Sequence, residues 1–279
     1  MSSSSFTGQT YLQSQYGSKT NLQIRVETHE KYSFPRQDFT AWVLDQISWR
    51  GRERVIDVGC GSGIYTRPTQ QRAGHYLAGD LSLGMLRSLP ADVTRINLDV
   101  QHLPLADESV DVILANHMLY HVPNQDAAAA HFARVLRPGG TLLAATNTSH
   151  NRRELNDLVS TVARELHIPI PEGVLGDSLL SFTLENGQTL LERHFAQVER
   201  YDLASEFVFP EPEPAIAYIG TTRELLLEKA PPGVTWETIV GSLYQHLSAH
   251  IAQHGEFRVH KMAGVFVCYK VKPENGYTD

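Results

Sequence analysis

Between residues 54 and 145 the chain alternates short apolar runs with segments of helical spacing. The apolar runs, which predict strands, are Arg54 to Val58, Tyr76 to Asp80, Val93 to Leu98, Val110 to Ala115 and Thr141 to Ala145. The segments of helical spacing lie at Ile64 to Arg72, Leu83 to Ser88 and Asp126 to Leu136. Strands that alternate with helices pair in parallel, because each crossover helix returns the chain to the same edge. We therefore expect an α/β fold with a doubly wound, mostly parallel sheet.

Regular patterns also flank this region. Further helices are predicted at Asp38 to Trp49, Arg153 to Leu166, around Leu190 to Phe195, Glu211 to Leu227, and Trp236 to Ala252, which Gly255 ends. Further strands are predicted at Val198 to Phe209 and Val265 to Val271. The run Arg137 to Gly140 predicts a turn before the fifth strand. We expect one α/β domain at 37–279 with a helical cap insertion at about 150–227, which is longer than an ordinary connection.

Residues 1–36 are expected to form an N-terminal arm. The segment Tyr16 to Arg36 mixes aromatic, basic and histidine residues, which would suit a lid over a site. The same segment would also suit a surface helix that packs through Leu22, Ile24 and Val26, and the pattern leaves both interpretations open. The apolar residues of the insertion could cover a ligand crevice as a cap or form a dimer contact, and the cap is the favoured interpretation because the crevice lies at that edge of the sheet.

Three glycines, Gly59, Gly61 and Gly63, directly follow the first predicted strand. Glycines at such a place allow a tight turn in which the backbone can lie against a ligand. The spacing is G-x-G-x-G, and Ile64 stands where the last glycine of a dinucleotide fingerprint would be. No lysine follows, so the loop is not a phosphate-binding P-loop either. A ligand with adenosine but no phosphate fits the loop better, which disfavours a nucleotide-dependent oxidoreductase.

Acidic residues end the second and third predicted strands. Asp80 is expected to accept hydrogen bonds from both hydroxyls of a ribose, although it could instead cap a helix, a role better suited to Ser82. Asp99 is expected to accept from the adenine amine, with the Val100 amide meeting a ring nitrogen; the alternative is a solvated turn aspartate. Two nearby apolar side chains could cover the faces of the ring: Leu81 and Met85.

The stretch D-V-G-C-G-S-G, residues 57–63, resembles motif I of the class I S-adenosylmethionine-dependent methyltransferases. The resemblance covers residues 50–147. Within the family, the sequence is similar to the small-molecule branch, which includes quinone-ring and natural-product methyltransferases. It implies a Rossmann-like methyltransferase fold with a seven-stranded sheet and S-adenosylmethionine as the cofactor. The implied cofactor-binding residues are Asp57, Gly59, Cys60, Gly61, Gly63, Asp80, Leu81, Met85, Asp99, Val100, Ala115 and Asn116.

Two histidines, His117 and His121, follow the fourth predicted strand, where an acceptor would meet the cofactor. A base is needed only if the attacking atom keeps its proton in the ground state. Histidine suits that role, so both are catalytic candidates. For His117 a structural role is equally open, and for His121 a structural role is the favoured interpretation. The candidates for a substrate lid are Tyr16, His29, Tyr32, Phe182 and Phe207.

The composition limits the partners. The 24 basic and 31 acidic residues give a net charge of −7, which argues against sequence-independent binding to nucleic acid. No apolar run is long enough to span a membrane. The two cysteines, Cys60 and Cys268, suit a reducing compartment. His246, His250 and His254 share a helix face, but without nearby carboxylates or cysteines they are read as solvated, and no metal is expected.

The main hypothesis is an enzyme that transfers a methyl group from S-adenosylmethionine to an O, N or C atom of a small, partly apolar molecule. The alternative is a protein that binds S-adenosylmethionine without methyl transfer, as a regulator or as a scaffold for a non-methyl reaction. We expect a cytoplasmic monomer or homodimer whose partner is a small-molecule acceptor, with no nucleic acid and no membrane.

Overall fold

The computed structural model describes residues 19–170 and 180–270, with the side chains of 19, 20 and 22 excepted. The predicted lid residue Tyr16 and the predicted packing of Leu22 therefore lie outside what is described. The chain divides into two compact units. Unit 1 comprises Met1–Gln37, Thr148–Leu180 and Leu203–Met262, and unit 2 comprises Asp38–Asn147, Ser181–Asp202 and Ala263–Asp279, each as far as it is described.

The strands are β1 (Ser33–Phe34), β2 (Arg54–Val58), β3 (His75–Asp80), β4 (Arg95–Asn97), β5 (Val110–Leu114), β6 (Leu136–Asn147), β7 (Gln197–Phe209) and β8 (Phe257–Tyr269). They form one eight-stranded sheet in the order β1-β7-β8-β6-β5-β2-β3-β4. Strands β2 to β6 pair in parallel, whereas β8 pairs antiparallel with β6. The doubly wound, mostly parallel sheet is confirmed. It has eight strands rather than seven, and its edge strand β1 pairs antiparallel with β7 through Ser33 and Phe34.

The helices are α1 (Lys19–Tyr32), α2 (Phe39–Leu44), α3 (Thr66–Gln70), α4 (Leu83–Ser88), α5 (Gln125–Val135), α6 (Arg153–Glu165), α7 (Gly187–Leu191), α8 (Pro212–Gly220), α9 (Arg223–Leu227) and α10 (Trp236–His254). The predicted end of α10 is confirmed, because Gly255 follows it in the left-handed conformation (φ 86°). None of the helices in the described ranges is long and apolar enough to cross a lipid bilayer.

Strand β2 lies in the middle of the unit 2 sheet, between β3 and β5. Both faces of a parallel strand are covered by helices, which explains why Val55, Ile56 and Val58 are all buried and read as a continuous apolar run. The parallel pairing brings the carboxyl ends of β2, β3 and β5 to the same edge of the sheet. That edge is where an open α/β sheet binds its ligand.

The run Arg137 to Gly140 does not separate two elements, contrary to the prediction. It lies inside β6, where the pairing with β5 jumps from Val110–Leu136 to Val112–Thr141. The extra residues form an irregularity that lets the strand begin at Leu136. A Cβ at Gly140 would lie 2.9 Å from the Arg137 carbonyl oxygen, so only glycine fits there.

Several other boundaries also differ from the prediction. The helix predicted at Asp38 to Trp49 is only the short α2, with Asp38 as its N-cap. The helix predicted at Glu211 to Leu227 is divided into α8 and α9. The last strand begins at Phe257, eight residues before the predicted Val265, because Lys261 occupies a buried position and breaks the apolar alternation of its early part.

Candidate active site

The glycine loop after β2 holds its three glycines in the left-handed region, with φ of 68°, 54° and 82° at Gly59, Gly61 and Gly63. Side chains rarely adopt this conformation, which explains the glycines. The Cys60 amide donates to the Gly79 carbonyl at 3.0 Å, and the Gly63 amide donates to the Cys60 carbonyl at 2.9 Å. The loop is therefore a tight turn fastened to the end of β3.

The three glycines differ in what surrounds them. A Cβ at Gly59 would lie 2.7 Å from the Met118 side chain, and one at Gly63 would lie 2.5 Å from Leu89. A Cβ at Gly61 would meet nothing within 4 Å. At Gly59 and Gly63, glycine is therefore required because neighbouring side chains of unit 2 leave no room for a Cβ. Gly61 instead faces open space, as a glycine does where the backbone must lie against a ligand.

Asp80, at the end of β3, bridges the glycine loop and the next turn. Its Oδ2 accepts from the Gly61 amide at 2.9 Å, and its Oδ1 accepts from the Ser82 amide at 2.7 Å. The helix-capping alternative is not what the structure shows, since the Ser82 hydroxyl accepts from the Met85 amide and caps α4. Each carboxylate oxygen keeps a further lone pair, so Asp80 can still accept from a ligand hydroxyl. The ribose contact stays a prediction.

Asp57 lies on β2, two residues before Gly59, and is only 2% exposed. The Tyr76 hydroxyl donates to its Oδ2 at 2.8 Å, and Thr66 Oγ1 lies 3.1 Å from the same hydroxyl. Burial raises the pKa of Asp57 to about 7, against the opposing effect of the Tyr76 hydrogen bond. The neighbouring Asp80 charge raises it further. The Asp57 side chain therefore links β2 to β3 through Tyr76. Sequence reasoning missed the network with Tyr76 and Thr66, for which no local motif exists.

Cys60, also in the loop, is buried. Burial raises the pKa of its thiol well above the usual range, and the charges of Asp57 and Asp80 raise it further. The thiol therefore stays protonated, which leaves Cys60 a small loop residue and no nucleophile.

Asp99 begins a 3₁₀ turn at Val100–His102 and accepts from the Gln101 amide at 2.9 Å. Partial burial acts to raise the pKa of Asp99, but the hydrogen bonds from Gln101 and the charge of His102 hold it below its usual value. The carboxylate is therefore ionised at neutral pH and remains an acceptor. Val100 is buried beside it.

Large apolar side chains are exposed after β2 and β3, where the cofactor ring is predicted to lie. Leu81 is 63% exposed, and Ile64 and Leu83 are also exposed. Met85, the other predicted ring contact, is half-buried on α4. Single exposed apolar residues are ordinary. These residues nevertheless give the sheet edge apolar surface of the kind that an adenine ring would cover.

Asn116 follows β5 and is 8% exposed. Its Oδ1 accepts from the Ala145 amide at 3.0 Å, which determines how the side-chain amide is oriented. Among the described residues its Nδ2 has no hydrogen-bond partner. Such a buried donor is costly when unsatisfied, and an acceptor oxygen of a ligand or of a water molecule would satisfy it. The neighbouring Ala115 amide donates to the Leu143 carbonyl at 2.8 Å and holds the strand end in place.

His117 adopts the left-handed conformation (φ 54°), which is uncommon for a residue with a side chain. Its amide donates to the Ala145 carbonyl at 2.9 Å, and its ring lies 5.4 Å from the Phe39 ring. Both contacts fix the position of the imidazole at the end of β5.

His121 lies in the 3₁₀ turn Leu119–His121, with its ring 4.5 Å from that of Tyr120. Burial lowers the pKa of His121 to about 4. At neutral pH the imidazole is therefore uncharged and a weak base. This supports the structural interpretation of His121 and leaves His117 as the better candidate for a base.

The predicted lid residues of unit 1 lie around one aromatic core. The ring of His29 on α1 is 4.8 Å from that of Phe207, and the ring of Tyr32 is 5.3 Å from that of Phe209. Phe207 is fully buried. In unit 2, Phe182 is buried with its ring 5.9 Å from that of Phe266. Both phenylalanines thus serve packing within their own units, and their lid role stays a prediction.

The histidine face of α10 has a carboxylate beside it, contrary to expectation. Glu165 Oε1 lies 2.8 Å from His246 Nε2, and Glu165 Oε2 accepts from the Ser242 hydroxyl. The rings of His250 and His254 lie 4.5 Å apart. Even so, no three metal-ligating side chains group together within 19–170 and 180–270.

Residues 56–144 match the family model described as a methyltransferase domain. The malonyl-[acyl-carrier protein] O-methyltransferase of Serratia marcescens is 32% identical over 119 residues, which are 42% of this chain and 47% of that protein. The demethylmenaquinone methyltransferase of Mycobacterium tuberculosis is 35% identical over 92 residues, 33% of this chain and 39% of that protein. The chain thus spans less than half the length of these two relatives.

Solved structures share the fold. A protein of Anabaena variabilis, described as a methyltransferase from an antibiotic biosynthesis pathway, superposes with a TM-score of 0.57 at 17% identity, covering 81% of this chain and 95% of that one. A protein of Bacillus halodurans, described as a methyltransferase, has a TM-score of 0.52 at 16% identity and covers 83% and 98%. At these identities the likeness shows the fold alone.

Proposed function

We propose that this chain, whose residues 56–144 belong to a methyltransferase domain, transfers the methyl group of S-adenosylmethionine to an O, N or C atom of a small, partly apolar molecule. The residues at the edge of the unit 2 sheet fit this cofactor. Gly61 leaves open space beside the loop, Asp80 can accept from ribose hydroxyls, and Asp99 is an ionised acceptor for the adenine amine. The bound cofactor supplies an activated methyl group, and the chain's own residues bind and orient the reactants.

The observation that carries this proposal is the Nδ2 of Asn116. A buried amide donor beside the end of β5, with no partner among the described residues, is placed to donate to a ligand oxygen. In this reading Asn116 donates to the amino-acid part of the cofactor. The Ala145 amide holds the opposite side of the same side chain, so the donor cannot turn away.

The test is calorimetry with S-adenosylmethionine and S-adenosylhomocysteine on wild type and Asn116→Asp. Aspartate keeps an oxygen for the Ala145 amide but replaces the donor by an acceptor. We expect cofactor affinity to fall at least about tenfold, since a lost charge-assisted hydrogen bond costs roughly 1.5–3 kcal/mol. Asn124→Asp, at the exposed N-cap of α5, is the matched control, because aspartate caps a helix equally well. Equal cofactor affinity in Asn116→Asp and wild type would contradict the proposal.

The role of the chain in the chemical step is to position the acceptor and, where required, to take its proton. His117 is proposed as the base for acceptors that keep their proton, because its ring is held by the Phe39 contact and its backbone by Ala145. For a carbanion-like or deprotonated acceptor the same ring would orient the substrate without accepting a proton.

The acceptor classes to screen first are those named for the relatives, malonyl-[acyl-carrier protein] and demethylmenaquinone. Radiolabelled methyl uptake into either would distinguish this proposal from cofactor binding without transfer. We also propose a reducing, cytoplasmic setting, because Cys60 and Cys268 are both free and buried.

A further inference from the structure

Two carboxylates lie on either side of the glycine loop of unit 2. Asp57, the penultimate residue of β2, is 2% exposed, and Asp80 at the end of β3 accepts from the Gly61 amide at 2.9 Å. The donors to both side chains are neutral: the Tyr76 hydroxyl for Asp57 and two backbone amides for Asp80. In the part of the chain that the structure describes, no basic side chain forms an ion pair with either. The negative charge beside the loop is therefore not neutralised by the chain.

The surroundings of Asp57 oppose its ionisation. Burial raises its pKa to about 7 against the opposing effect of the Tyr76 hydrogen bond, and the charge of Asp80 raises it further. Three other titratable groups face it: the Cys60 thiol and the phenols of Tyr65 and Tyr76. Burial, and after it the charge of Asp57, raises the pKa of each well above its usual range. These three groups stay neutral, whereas the charge of Asp57 changes near neutral pH.

The methyl donor and its product differ in charge at one atom. S-adenosylmethionine and S-adenosylhomocysteine carry the same α-ammonium and carboxylate groups. The sulfur of the donor is a sulfonium with a permanent positive charge, whereas the sulfur of the product is a neutral thioether. A cation that enters a partly buried site favours the charged form of a neighbouring carboxyl group, because the attraction is weakly screened there. The two ligands should therefore act differently on a buried carboxyl group beside the loop.

We propose that Asp57 loses its proton when the sulfonium donor binds, and that the site thereby holds the donor more tightly than the neutral product. This inference rests on the proposed function, since it takes the glycine loop as the place where the cofactor binds. The proton passes from the Asp57 carboxyl oxygen to solvent, and no other bond of the chain changes. In the free site the Asp80 charge keeps that proton on Asp57, and the Tyr76 hydroxyl stabilises the carboxylate once it forms.

The first test is calorimetry with S-adenosylmethionine and S-adenosylhomocysteine at pH 5, 6, 7 and 8. Below pH 7 the free carboxyl group is mostly protonated, so donor binding releases a proton and donor affinity rises with pH, by at most about tenfold per pH unit. We expect the ratio of donor affinity to product affinity to increase at least about fivefold from pH 5 to pH 8. Titrations at pH 6 in two buffers of different ionisation enthalpy should show that the donor releases more protons than the product.

The second test repeats these measurements on Asp57→Asn, which keeps the shape of the side chain and an acceptor for the Tyr76 hydroxyl but cannot ionise. We expect both ligands to bind, the affinity ratio to become independent of pH, and the excess proton release to vanish. The matched control is Asp107→Asn. Asp107 is exposed, pairs with Arg134 and precedes β5, at the amino ends of the parallel strands, so this variant should behave like wild type.

Tyr76→Phe should move the pH dependence instead of abolishing it. Without the hydroxyl the carboxylate of Asp57 loses its donor, so its pKa rises and the change in affinity ratio should shift to higher pH. A Tyr76 with a merely structural role would alter stability without moving this pH dependence. The same shift decides the question if Asp57→Asn does not fold.

The Asp57 carboxyl group can also be followed directly through its Cγ resonance by NMR. Its pKa should fall when S-adenosylmethionine is added and fall less with S-adenosylhomocysteine. If both ligands bind wild type with the same affinity ratio at pH 5 and pH 8, or if Asp57→Asn keeps the pH dependence, this inference is wrong while cofactor binding stands. If neither ligand binds at any of these pH values, this inference and the proposed function both fail.

Discussion

The Tyr76 hydroxyl donates a hydrogen bond of 2.8 Å to the buried Oδ2 of Asp57. The two residues lie on neighbouring parallel strands, and Asp57 stands two residues before Gly59 in the sequence. Burial and the charge of Asp57 raise the pKa of the Tyr76 phenol, so the hydroxyl keeps its proton and remains a donor. The contact between these two strands therefore depends on whether the Asp57 carboxyl group is protonated.

Asp57 should make stability fall as pH rises. Its folded-state pKa of about 7 lies above the ordinary 3.8, so between about pH 4 and pH 7 the folded chain keeps a proton that the unfolded chain has lost. The free energy of unfolding should therefore decrease over this window by up to about 1.4 kcal/mol per pH unit. Asp57→Asn mimics the protonated form and should remove that decrease. Urea unfolding at pH 4, 6 and 8 measures it, with the exposed Asp157→Asn as the control.

Tyr76→Phe should destabilise the chain by about 1–3 kcal/mol, because it leaves a buried carboxyl without its donor. The loss should be larger at pH 8 than at pH 5, since the ionised carboxylate needs the donor more than the neutral acid does. Denaturant unfolding of Tyr76→Phe at both pH values checks this. An equal loss at the two pH values would mean that Asp57 does not titrate between them.

Asp80→Ala should weaken cofactor binding by about 1–3 kcal/mol if the ribose contact exists. Because Asp80 also accepts from the Gly61 and Ser82 amides, loosening of the loop could give the same loss. A cycle with an S-adenosylhomocysteine analogue that lacks both ribose hydroxyls separates the two causes. Wild type should bind the analogue more weakly than S-adenosylhomocysteine, whereas Asp80→Ala should bind both ligands equally. If the substitution and the loss of the ribose hydroxyls instead lower affinity independently, Asp80 acts only by holding the loop.

The glycines of the loop should divide into two kinds. Gly59→Ala should cost more stability than Gly61→Ala, because its Cβ would lie 2.7 Å from Met118 while the Cβ at Gly61 meets nothing. Gly61→Ala should instead weaken cofactor binding more strongly, since the new methyl group occupies the open space. Thermal unfolding and calorimetry on both variants measure the two effects, and the reverse order of affinities would contradict the ligand position.

If His117 is the base, turnover of a protonated acceptor should rise with pH over the range in which the imidazole loses its proton. His117→Gln should then lower turnover and flatten the profile while cofactor affinity stays nearly unchanged. His121→Gln should not flatten the profile in this range, because burial holds its pKa near 4. A flat wild-type profile with full activity in His117→Gln would favour catalysis by positioning alone.

Much of unit 2 could be predicted because its signals are local. The helix Leu83–Ser88 has the predicted bounds, since the Ser82 cap and the apolar spacing lie within a few neighbouring residues. The early part of β8 was missed because Lys261, a charged residue at a buried position, interrupts the apolar alternation there. Whether such a charge faces inward depends on strand register, which the local pattern does not contain.

The sequence by itself determined the alternation of strands and helices, the left-handed glycine turn and the acids at the strand ends. Each of these follows from the period and turn chemistry of adjacent residues. Only the tertiary structure decided which side chains meet across the chain. Tyr76 reaches Asp57 through parallel pairing, and Lys261 meets Ser33 across 228 positions and His29 across 232. Such contacts depend on register and packing between distant segments, so they cannot be predicted from the spacing of residues in the sequence.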